Sequence, residues 1–476
     1  MKDEAPKGGA ITLRAHHLPN IREYVKEGVR LHWDKSTGYT DEFAQAHDSA
    51  VAAIVSDPQR RVRVVDTLDS ICQCGVCPNL RPHCSSPDLA KADQRSAEIF
   101  GLQLNREYRA QEIVDAATRP VLDLKNVTLR TGEEMRIKLV TPPAGEYAEK
   151  LLHFLEHKPD WVRRNIKQQL SGMYDKDCVN KYFIGEIGGR IAGHVWYGYA
   201  NRGAGIANFG EVYTEPEHRK KGVIAELMKV FKENFGNSPA KAALCTAGAN
   251  WVTAIYFKAG FQAVIPGAER GPLILIKKGC GKDFEEFERA YYAPGREISI
   301  GLGSMKHRHD VDTLLRFSTI LRRGRESGDP MKYAFVPGAS LARRVGMAYS
   351  VTNYMDAVFK TEDGRGIVTV AAAKTGQVVG WTFFLHTGSE FEPEGKVFDF
   401  ELHPSYAGSG PVLVRESLRL ARARGITKAY SYCPAIEREK MELLRAEGFG
   451  EAARFHGDCR FGGETCDLVV LRHTST

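Results

Sequence analysis

The chain has 476 residues, which is too many for one compact core and enough for about three domains of ordinary size. Hydrophobic residues make up 43% of it and charged residues 26%, a composition that excludes a disordered chain or a fibre. The formal net charge of +7 is mildly basic and suits anionic small molecules as well as nucleic acid.

The sequence predicts neither a membrane span nor a secretory leader. No apolar run approaches the roughly 20 residues that cross a bilayer. The polar start, MKDEAPKGGAITLRAHH, lacks the apolar stretch of a signal peptide. Four of the ten cysteines crowd into one segment instead of spreading along the chain as disulfide partners would. We therefore expect a cytoplasmic protein.

The first 122 residues are predicted to form a mainly helical, cysteine-rich domain, with amphipathic helices beginning near Tyr39 and Ala92. Four thiols lie between these helices: Cys72, Cys74, Cys77 and Cys84. A Cys-x-x-Cys knuckle with flanking cysteines can close a tetrahedral zinc site or hold an iron–sulfur cluster. Zinc, an iron–sulfur cluster and no metal at all are the three alternatives. The other six cysteines are scattered and receive no role.

The same segment resembles a prokaryotic domain of unknown function that opens with Leu-Arg-x-His-His and carries a Cys-rich Asp-x-Ile-Cys stretch. Residues 13–17 and 69–72 match these two patterns, and the resemblance covers about residues 10 to 115. His16 and His17 are candidates for the metal shell, although a histidine pair at the start of a domain is more often structural.

From Met135 onward the pattern alternates between strands and helices, and the alternation occurs twice. The first copy is predicted to contain a strand at 135–140, a helix at 147–157, a hairpin at 182–196, a strand ending at Thr214 and a helix at 222–235. The second is predicted to contain strands at 366–373, 377–384 and 397–402 and a helix from Pro411. Each copy ends with a helix followed by Gly-Phe. We predict two α/β domains of one fold, residues 123–290 and 291–476.

A basic loop in the first copy has the pattern of an anion site. Arg219, Lys220 and Lys221 follow a strand, and Gly222 opens a helix. Unpaired N–H groups and the positive end of the helix dipole favour an anion there, and glycine lets a phosphate approach the backbone. A loop of this kind taken alone is equally typical of a solvated basic turn.

Together with its surroundings, the loop resembles motif A of the GNAT superfamily of N-acetyltransferases, Arg/Gln-x-x-Gly-x-Gly/Ala, which cradles the pyrophosphate of coenzyme A. Arg219 and Gly222 match, while Ile224 stands where the family prefers Gly or Ala. Residues 250–261 resemble the second signature, Asn…Tyr-x-x-x-Gly-Phe, and Gly193 lies in a matching hairpin. The resemblance covers roughly residues 128 to 278 and implies an α+β GNAT fold in tandem copies.

This resemblance implies direct attack of an amine on the thioester of acetyl-CoA. Tyr256 would be the acid that protonates the leaving thiolate, or else a packing aromatic; Glu211 would be a base acting through a water, or else a solvent-facing carboxylate. The residues implied to hold acetyl-CoA are Tyr213, Thr214, Arg219, Lys220, Lys221, Gly222, Val223, Ile224, Ala225 and Asn250.

The second copy lacks these groups. Gly410 aligns with Gly222, but Ala407 replaces the arginine and Pro411 removes an N–H from the helix start. Leu444 and Arg438 occupy the positions of Tyr256 and Asn250. We expect no acyl transfer by this copy.

Three functions remain open at the level of sequence. The first is an acyl-CoA-dependent N-acyltransferase for a small amine or amino-acid-like metabolite. The second is transfer from an aminoacyl-tRNA, which predicts tRNA affinity that falls steeply with salt. The third is a non-catalytic sensor of acyl-CoA or metal, which has no use for a general acid such as Tyr256.

Overall fold

The computed structural model describes residues 10–18, 21, 24–25, 41–66, 87–201, 205–247, 250–264, 271–292, 297–314, 354–362, 364, 366–386, 395–435, 437–461 and 464–474. The chain divides into two compact units. The N-terminal unit comprises Met1–Trp196, Asn201–Ala204 and Glu211–Pro239, and the C-terminal unit comprises Tyr197–Ala200, Gly205–Gly210 and Ala240–Thr476. The domain boundaries that the sequence predicts, after residues 122 and 290, remain a prediction.

The N-terminal unit begins with a small mixed α/β arrangement. Strand β1 is parallel to β2, and β2 is antiparallel to β3. The elements are β1 (Ile11–Arg14), α1 (Asp41–Ser56), β2 (Arg61–Val65), α2 (Pro87–Phe100), β3 (Arg106–Arg109) and α3 (Ala110–Thr118). The expectation of a mainly helical domain is therefore not supported, because the described residues also form a three-stranded sheet.

Arg14, the arginine of the Leu-Arg-x-His-His pattern, has a structural partner. Its side chain is 1% exposed, and its Nε donates to the Asp93 carboxylate on α2 at 2.9 Å. A buried charge is tolerated only when it is paired and hydrogen-bonded. The pair therefore joins β1 to α2. His17, three residues further on, packs edge-on against His47 of α1.

The next strands of this unit form a layered core. Strands β4 (Val121–Thr128), β5 (Glu134–Val140) and β6 (Cys178–Ile187) pair antiparallel in this order. Helices α4 (Tyr147–Phe154) and α5 (Asp160–Leu170) pack against them through a common hydrophobic cluster. The helix predicted at 147–157 is confirmed as α4, which ends three residues earlier, at Phe154. The sequence did not predict α5, which begins after Pro159, a residue that disfavours helical backbone in the residue before it.

Two strands, β7 (Arg190–Ala200) and β8 (Ile206–Thr214), pass from one unit into the other. The turn before β7 is confirmed as predicted, because Gly188 and Gly189 both have positive φ, as a type I′ hairpin turn requires. Gly193 on β7 lies under Val223 of α6 (Val223–Gly236), where a side chain would collide with the helix. Close packing of α6 on β7 explains this glycine.

The C-terminal unit contains the rest of the first sheet. Strand β8 runs parallel to β9 with a register that extends from Ile206 to Asn208, and β9, β11 and β10 pair antiparallel in that order. The elements are β9 (Ala242–Ala247), α7 (Asn250–Lys258), β10 (Gln262–Ala263), β11 (Gly271–Ile276) and α8 (Phe284–Tyr291).

The same unit holds a second sheet. Its one parallel pair among the described strands is β15 with β16, in register from Gly395 to Val397. The elements are β12 (Ile298–Leu302), α9 (Tyr354–Glu362), β13 (Gly366–Ala373), β14 (Val378–His386), β15 (Gly395–Leu402), α10 (Gly410–Arg422), β16 (Lys428–Pro434), α11 (Arg438–Ala446), β17 (Gly450–Phe461) and β18 (Glu464–Thr474).

The two sheets have corresponding strand orders. The first is β10-β11-β9-β8-β7-β6-β5-β4 and the second is β17-β18-β16-β15-β14-β13-β12, so the first carries one additional strand at its edge. In each sheet the structure describes a short parallel pair, β8 with β9 and β15 with β16, and a helix follows the first strand of that pair. In the part of the chain that the structure describes, no helix is both long enough and apolar enough to span a membrane.

Candidate active site

The basic loop between β8 and α6 has a specific backbone shape. A short 3₁₀ turn at Pro216–His218 follows the strand, and helix α6 begins after Gly222. Lys220 has φ +64° and Gly222 has φ +100°, both left-handed. Turns that combine such conformations orient successive backbone N–H groups into a concave, anion-binding surface.

The start of α6 is open and uncapped. No side chain caps its first turn, and a side chain added at Gly222 would meet nothing within 4 Å. The first N–H groups of a helix have no partner inside the helix. Those of Val223, Ile224 and Ala225 lie in this first turn. Together with the helix dipole, they can bind an anion such as a phosphate.

The three basic residues of the loop have different surroundings. The Arg219 Nε donates to the Thr214 carbonyl at 3.1 Å, and its guanidinium lies 5.7 Å from the centre of the Tyr213 ring. Lys221 pairs with Glu133 at 2.9 Å, and its hydrogen bond lowers the pKa of that carboxyl. Lys220 is exposed. Arg219 therefore stabilises the conformation of the loop through its bond to Thr214. The Glu133 carboxylate partly compensates the charge of Lys221.

Glu211 lies on β8, before the loop, and its backbone is not in the extended conformation of a regular strand. Its φ is +53°, in the left-handed region. Its carboxylate pairs with Lys158 at 2.9 Å, and the two side chains are 27% and 23% exposed. Tyr213 stacks on the neighbouring His157 at 4.0 Å. Glu211 and Tyr213 thus both contact the segment just before α5.

His194 on β7 contacts the backbone of Glu211. Its Nδ1 lies 2.9 Å from the Glu211 carbonyl oxygen, and its ring is completely buried. Burial lowers the pKa of His194 to about 4. The imidazole is therefore neutral at pH 7, and Nδ1 carries its proton because a carbonyl oxygen can only accept.

This buried histidine predicts a dependence of folding stability on pH. An unfolded histidine has a pKa near 6.5, so below that pH the unfolded chain takes up a proton that the folded chain excludes until about pH 4. Stability present above pH 6.5 is thus lost as the pH falls, by about 2 kcal/mol at pH 5 for this one residue. Urea unfolding of the wild type and of His194→Asn at pH 7.5 and pH 5 measures the difference. Equal losses in both proteins would contradict it.

Tyr256 lies in the C-terminal unit, on α7, and its ring is packed. It is 5% exposed and contacts Phe209 edge-on at 5.6 Å and Phe261 at 5.6 Å. The Gly-Phe turn that follows is formed as predicted, with Gly260 at φ +95°. This packing is compatible with both roles predicted for Tyr256, as a packing aromatic and as a general acid, because the contacts involve the ring and not the hydroxyl. Asn250 is the first residue of α7.

The loop that the sequence aligns with the basic loop, in the predicted second copy, is closed at its glycine. Gly410 has ordinary helical dihedrals, and a side chain added there would meet Leu443 of α11. At the start of the same loop, His403 accepts a hydrogen bond from the Ser405 N–H and stacks on Tyr292 at 4.0 Å. The space that is open beside Gly222 is thus filled beside Gly410.

Two further positions that the sequence aligns with Asn250 and Tyr256 carry side chains of different chemistry, Arg438 and Leu444. Arg438 begins α11 as Asn250 begins α7, and both helices have nine residues. Leu444, at the position of Tyr256, is completely buried in the hydrophobic core of the second sheet. Lys440, between them, pairs with Asp399 of β15. An aliphatic core residue has no proton to donate.

The four clustered cysteines, Cys72, Cys74, Cys77 and Cys84, lie outside the described residues. Within the residues that are described, no group of three or more His, Cys, Asp or Glu side chains could hold a metal ion. Zinc and iron–sulfur therefore remain predictions from the sequence.

Two residues that sequence reasoning did not select are His194 and Lys158. A single histidine in an otherwise apolar strand, between Gly193 and Val195, was the available signal for the first. Nothing in the sequence marked Lys158, because its partner Glu211 is more than 50 residues away and only the fold brings them together.

Comparison with known proteins places these features in context. Residues 38–130 match a family described as a protein of unknown function, DUF1284, which overlaps the segment where we expected such a domain. No curated protein matches the chain in sequence.

Similar solved structures include members of the GNAT family. One is an acetyltransferase of this family from Streptococcus pneumoniae, with 13% identity and a TM-score of 0.29, covering 38% of this chain and 100% of that one. Another is a ribosomal-protein-alanine N-acetyltransferase from Brucella melitensis, with 18% identity and a TM-score of 0.28, covering 37% and 99%. A third is a GNAT superfamily phosphinothricin acetyltransferase from Sinorhizobium meliloti in complex with acetyl-CoA, with 16% identity and a TM-score of 0.28, covering 37% and 88%.

Proposed function

We propose that this chain is an acyl-CoA-dependent N-acyltransferase of the GNAT type, which acetylates an amine of a small or amino-acid-like metabolite. The observation that carries the proposal is the open, uncapped start of α6 at Gly222, directly after a basic loop. Such a helix start can hold the pyrophosphate of a CoA thioester. The motif resemblance supports acetyl-CoA as the donor.

The proposed reaction is direct attack by the amine on the thioester within a ternary complex. Glu211 is proposed as the base, acting through a water, and Tyr256 as the acid that protonates the departing thiolate. In the N-terminal unit, the carboxylate of Glu211 already contacts an ammonium group, that of Lys158. This ion pair shows that the carboxylate is accessible to a cationic group, and the water would carry the proton from the substrate ammonium to it.

We also propose that the chain contains two tandem copies of the fold, residues 123–290 and 291–476, of which the second does not bind acyl-CoA. The corresponding strand orders support the tandem arrangement. The packing of Leu443 beside Gly410 and the core position of Leu444 support the loss of the acyl-CoA site.

Titration calorimetry with acetyl-CoA tests the donor and the unequal roles of the copies together. We expect one acetyl-CoA per chain, and release of CoA thiol when a panel of amino acids and small amines is added. Two sites per chain would contradict the inactive second copy. No acetyl-CoA binding, combined with salt-sensitive binding of aminoacyl-tRNA, would reject the donor that we propose.

The N-terminal segment is proposed to hold a structural metal at Cys72, Cys74, Cys77 and Cys84, as zinc or as an iron–sulfur cluster. Binding of a structural metal contributes directly to folding, so its loss should destabilise this segment. Elemental analysis and a visible spectrum identify the metal. Protein prepared anaerobically that contains neither zinc nor iron would rule this proposal out.

A further inference from the structure

The backbone of strand β8 is distorted at one residue that is not glycine. Glu211 has φ +53°, a conformation that residues with a side chain rarely adopt. Such outliers persist only where the surrounding structure holds them in place. The neighbouring residue Gly210 could take this conformation at less cost, yet it is Glu211 that adopts it.

A side-chain hydrogen bond reaches the carbonyl of this distorted residue. It comes from His194, whose Nδ1–H donates to the Glu211 carbonyl oxygen at 2.9 Å. The other ring nitrogen, Nε2, is buried and has no hydrogen-bond partner among the described residues. Burying an unsatisfied polar atom is unfavourable, and an aliphatic side chain would fill the same space without this cost. Packing alone therefore does not account for a histidine at this position.

The orientation of the His194 ring is itself determined by neighbours. The ring stacks on Tyr182 of β6, with centroids 5.6 Å apart and an interplanar angle of 25°. The Tyr182 hydroxyl donates to Gln169 of α5 at 2.6 Å, and the Gln169 amide donates to Asn165 at 3.2 Å. A buried, connected polar network of this kind is rigid. Because His194 stacks on the tyrosine of this network, its ring plane is restricted by a tyrosine that is itself anchored.

The carboxylate end of Glu211 is held separately. Lys158, just before α5, contacts it at 2.9 Å. Helix α5 and its N-terminal flank thus reach both ends of Glu211: the backbone through Gln169, Tyr182 and His194, and the carboxylate through Lys158. All of these residues lie in the N-terminal unit.

We infer that His194 is a positioning residue for acyl transfer: its Nδ1–H bond holds Glu211 in the left-handed conformation that directs the carboxylate. The inference rests on the proposed function, in which Glu211 is the base. His194 does not touch the substrate and does not exchange a proton in the reaction.

The test compares side chains that differ in where they carry a donor. In His194→Asn the amide nitrogen can occupy the place of Nδ1 and donate to Glu211, whereas His194→Gln moves the amide to the place of Nε2. His194→Leu has no donor at all. Thermal unfolding shows which variants fold. If His194→Leu does not fold, His194→Gln replaces it as the variant that lacks a donor at the place of Nδ1, and it is compared with His194→Asn.

The first readout is structural and independent of activity. Crystal structures should show residue 211 with positive φ in the wild type and in His194→Asn, and with extended backbone in His194→Leu or His194→Gln. A left-handed Glu211 that persists in the variants without the donor would overturn the inference.

The second readout is kinetic, with acetyl-CoA and the amino acid and amine panel as probes. We expect kcat to fall about 100-fold in His194→Leu, a part of what a general base typically contributes, and most of this loss to be recovered in His194→Asn. The Kd for acetyl-CoA should stay within about 3-fold of the wild type, since His194 is not among the acetyl-CoA residues. Wild-type kcat in His194→Leu would overturn the positioning role.

A double variant separates positioning from general damage to the fold. If His194 acts through Glu211, His194→Leu should slow Glu211→Gln no further, because neighbouring residues that act as a unit are not additive. Additive losses would point to a structural role and overturn the inference. A wild type that binds no acetyl-CoA would instead overturn the proposed function, and the crystal structures would still decide whether His194 holds Glu211.

Discussion

Gly222→Glu should abolish acetyl-CoA binding, with a loss in affinity of at least about 100-fold, or roughly 3 kcal/mol. The substitution places a carboxylate at the open start of α6, where a phosphate is proposed to bind. The carboxylate would itself occupy the N–H groups of the first turn and would repel the pyrophosphate. Titration calorimetry of the purified variant measures the loss.

Two control variants make this result specific. Gly222→Gln introduces the same volume and the same strain at φ +100° but no charge, so it should weaken binding less than Gly222→Glu. Gly410→Glu, in the second copy, should leave acetyl-CoA affinity unchanged. Because Gly410 is packed against Leu443, its folding is first checked by thermal unfolding, and Gly410→Ala is the milder alternative. A dominant effect of the Gly410 changes on binding would disprove the inactivity of the second copy.

Tyr256→Phe should slow acyl transfer by about 10²–10⁴-fold, the usual contribution of general acid catalysis. Phenylalanine keeps the contacts of the ring with Phe209 and Phe261 and deletes only the hydroxyl. Folding and the Kd for acetyl-CoA should therefore change little, and the loss should appear in kcat. Initial rates of CoA thiol release over a range of amine concentrations separate kcat from KM.

A matched tyrosine provides the control for this change. Tyr430→Phe, on β16 of the second sheet, also deletes one hydroxyl and should leave the rate unchanged. If Tyr256→Phe turns over its amine at the wild-type rate while chemistry is shown to limit the reaction, Tyr256 is a packing residue. The buried, aromatic surroundings of its ring would then be its whole role.

The features that the sequence predicted well depend on a few consecutive residues. The hairpin at Gly188 and Gly189 is formed as predicted. The predicted helix before the Gly-Phe pair is also present, and Gly260 after it is left-handed. The start of α6 lies within one residue of its predicted place. Each of these follows from the conformations that glycine permits and from local hydrogen bonds, so a short stretch of sequence contains the necessary information.

The helix predicted at 147–157 is confirmed, but it ends earlier, at Phe154. Its apolar spacing continues through Phe154, but the chain turns there, and a second helix begins at Asp160. Periodicity finds the face that packs on the sheet, whereas the position of the break depends on Pro159 and on how both helices fit one core.

The chemistry of the candidate site was decided by the tertiary structure. Lys221 was predicted to help hold acetyl-CoA as a basic residue of the loop, and the structure adds a carboxylate partner, Glu133, from 88 residues away. Glu211 was chosen from its place on a strand, but its left-handed backbone, its contact with Lys158 and its bond from His194 arise only when β7, β8 and the flank of α5 meet. The sequence by itself determined that a glycine opens a helix after a basic loop. The tertiary structure decided that Glu133 lies beside Lys221 and that His194 bonds to the Glu211 backbone. Sheet register and side-chain packing bring these residues together, and no local sequence pattern connects them.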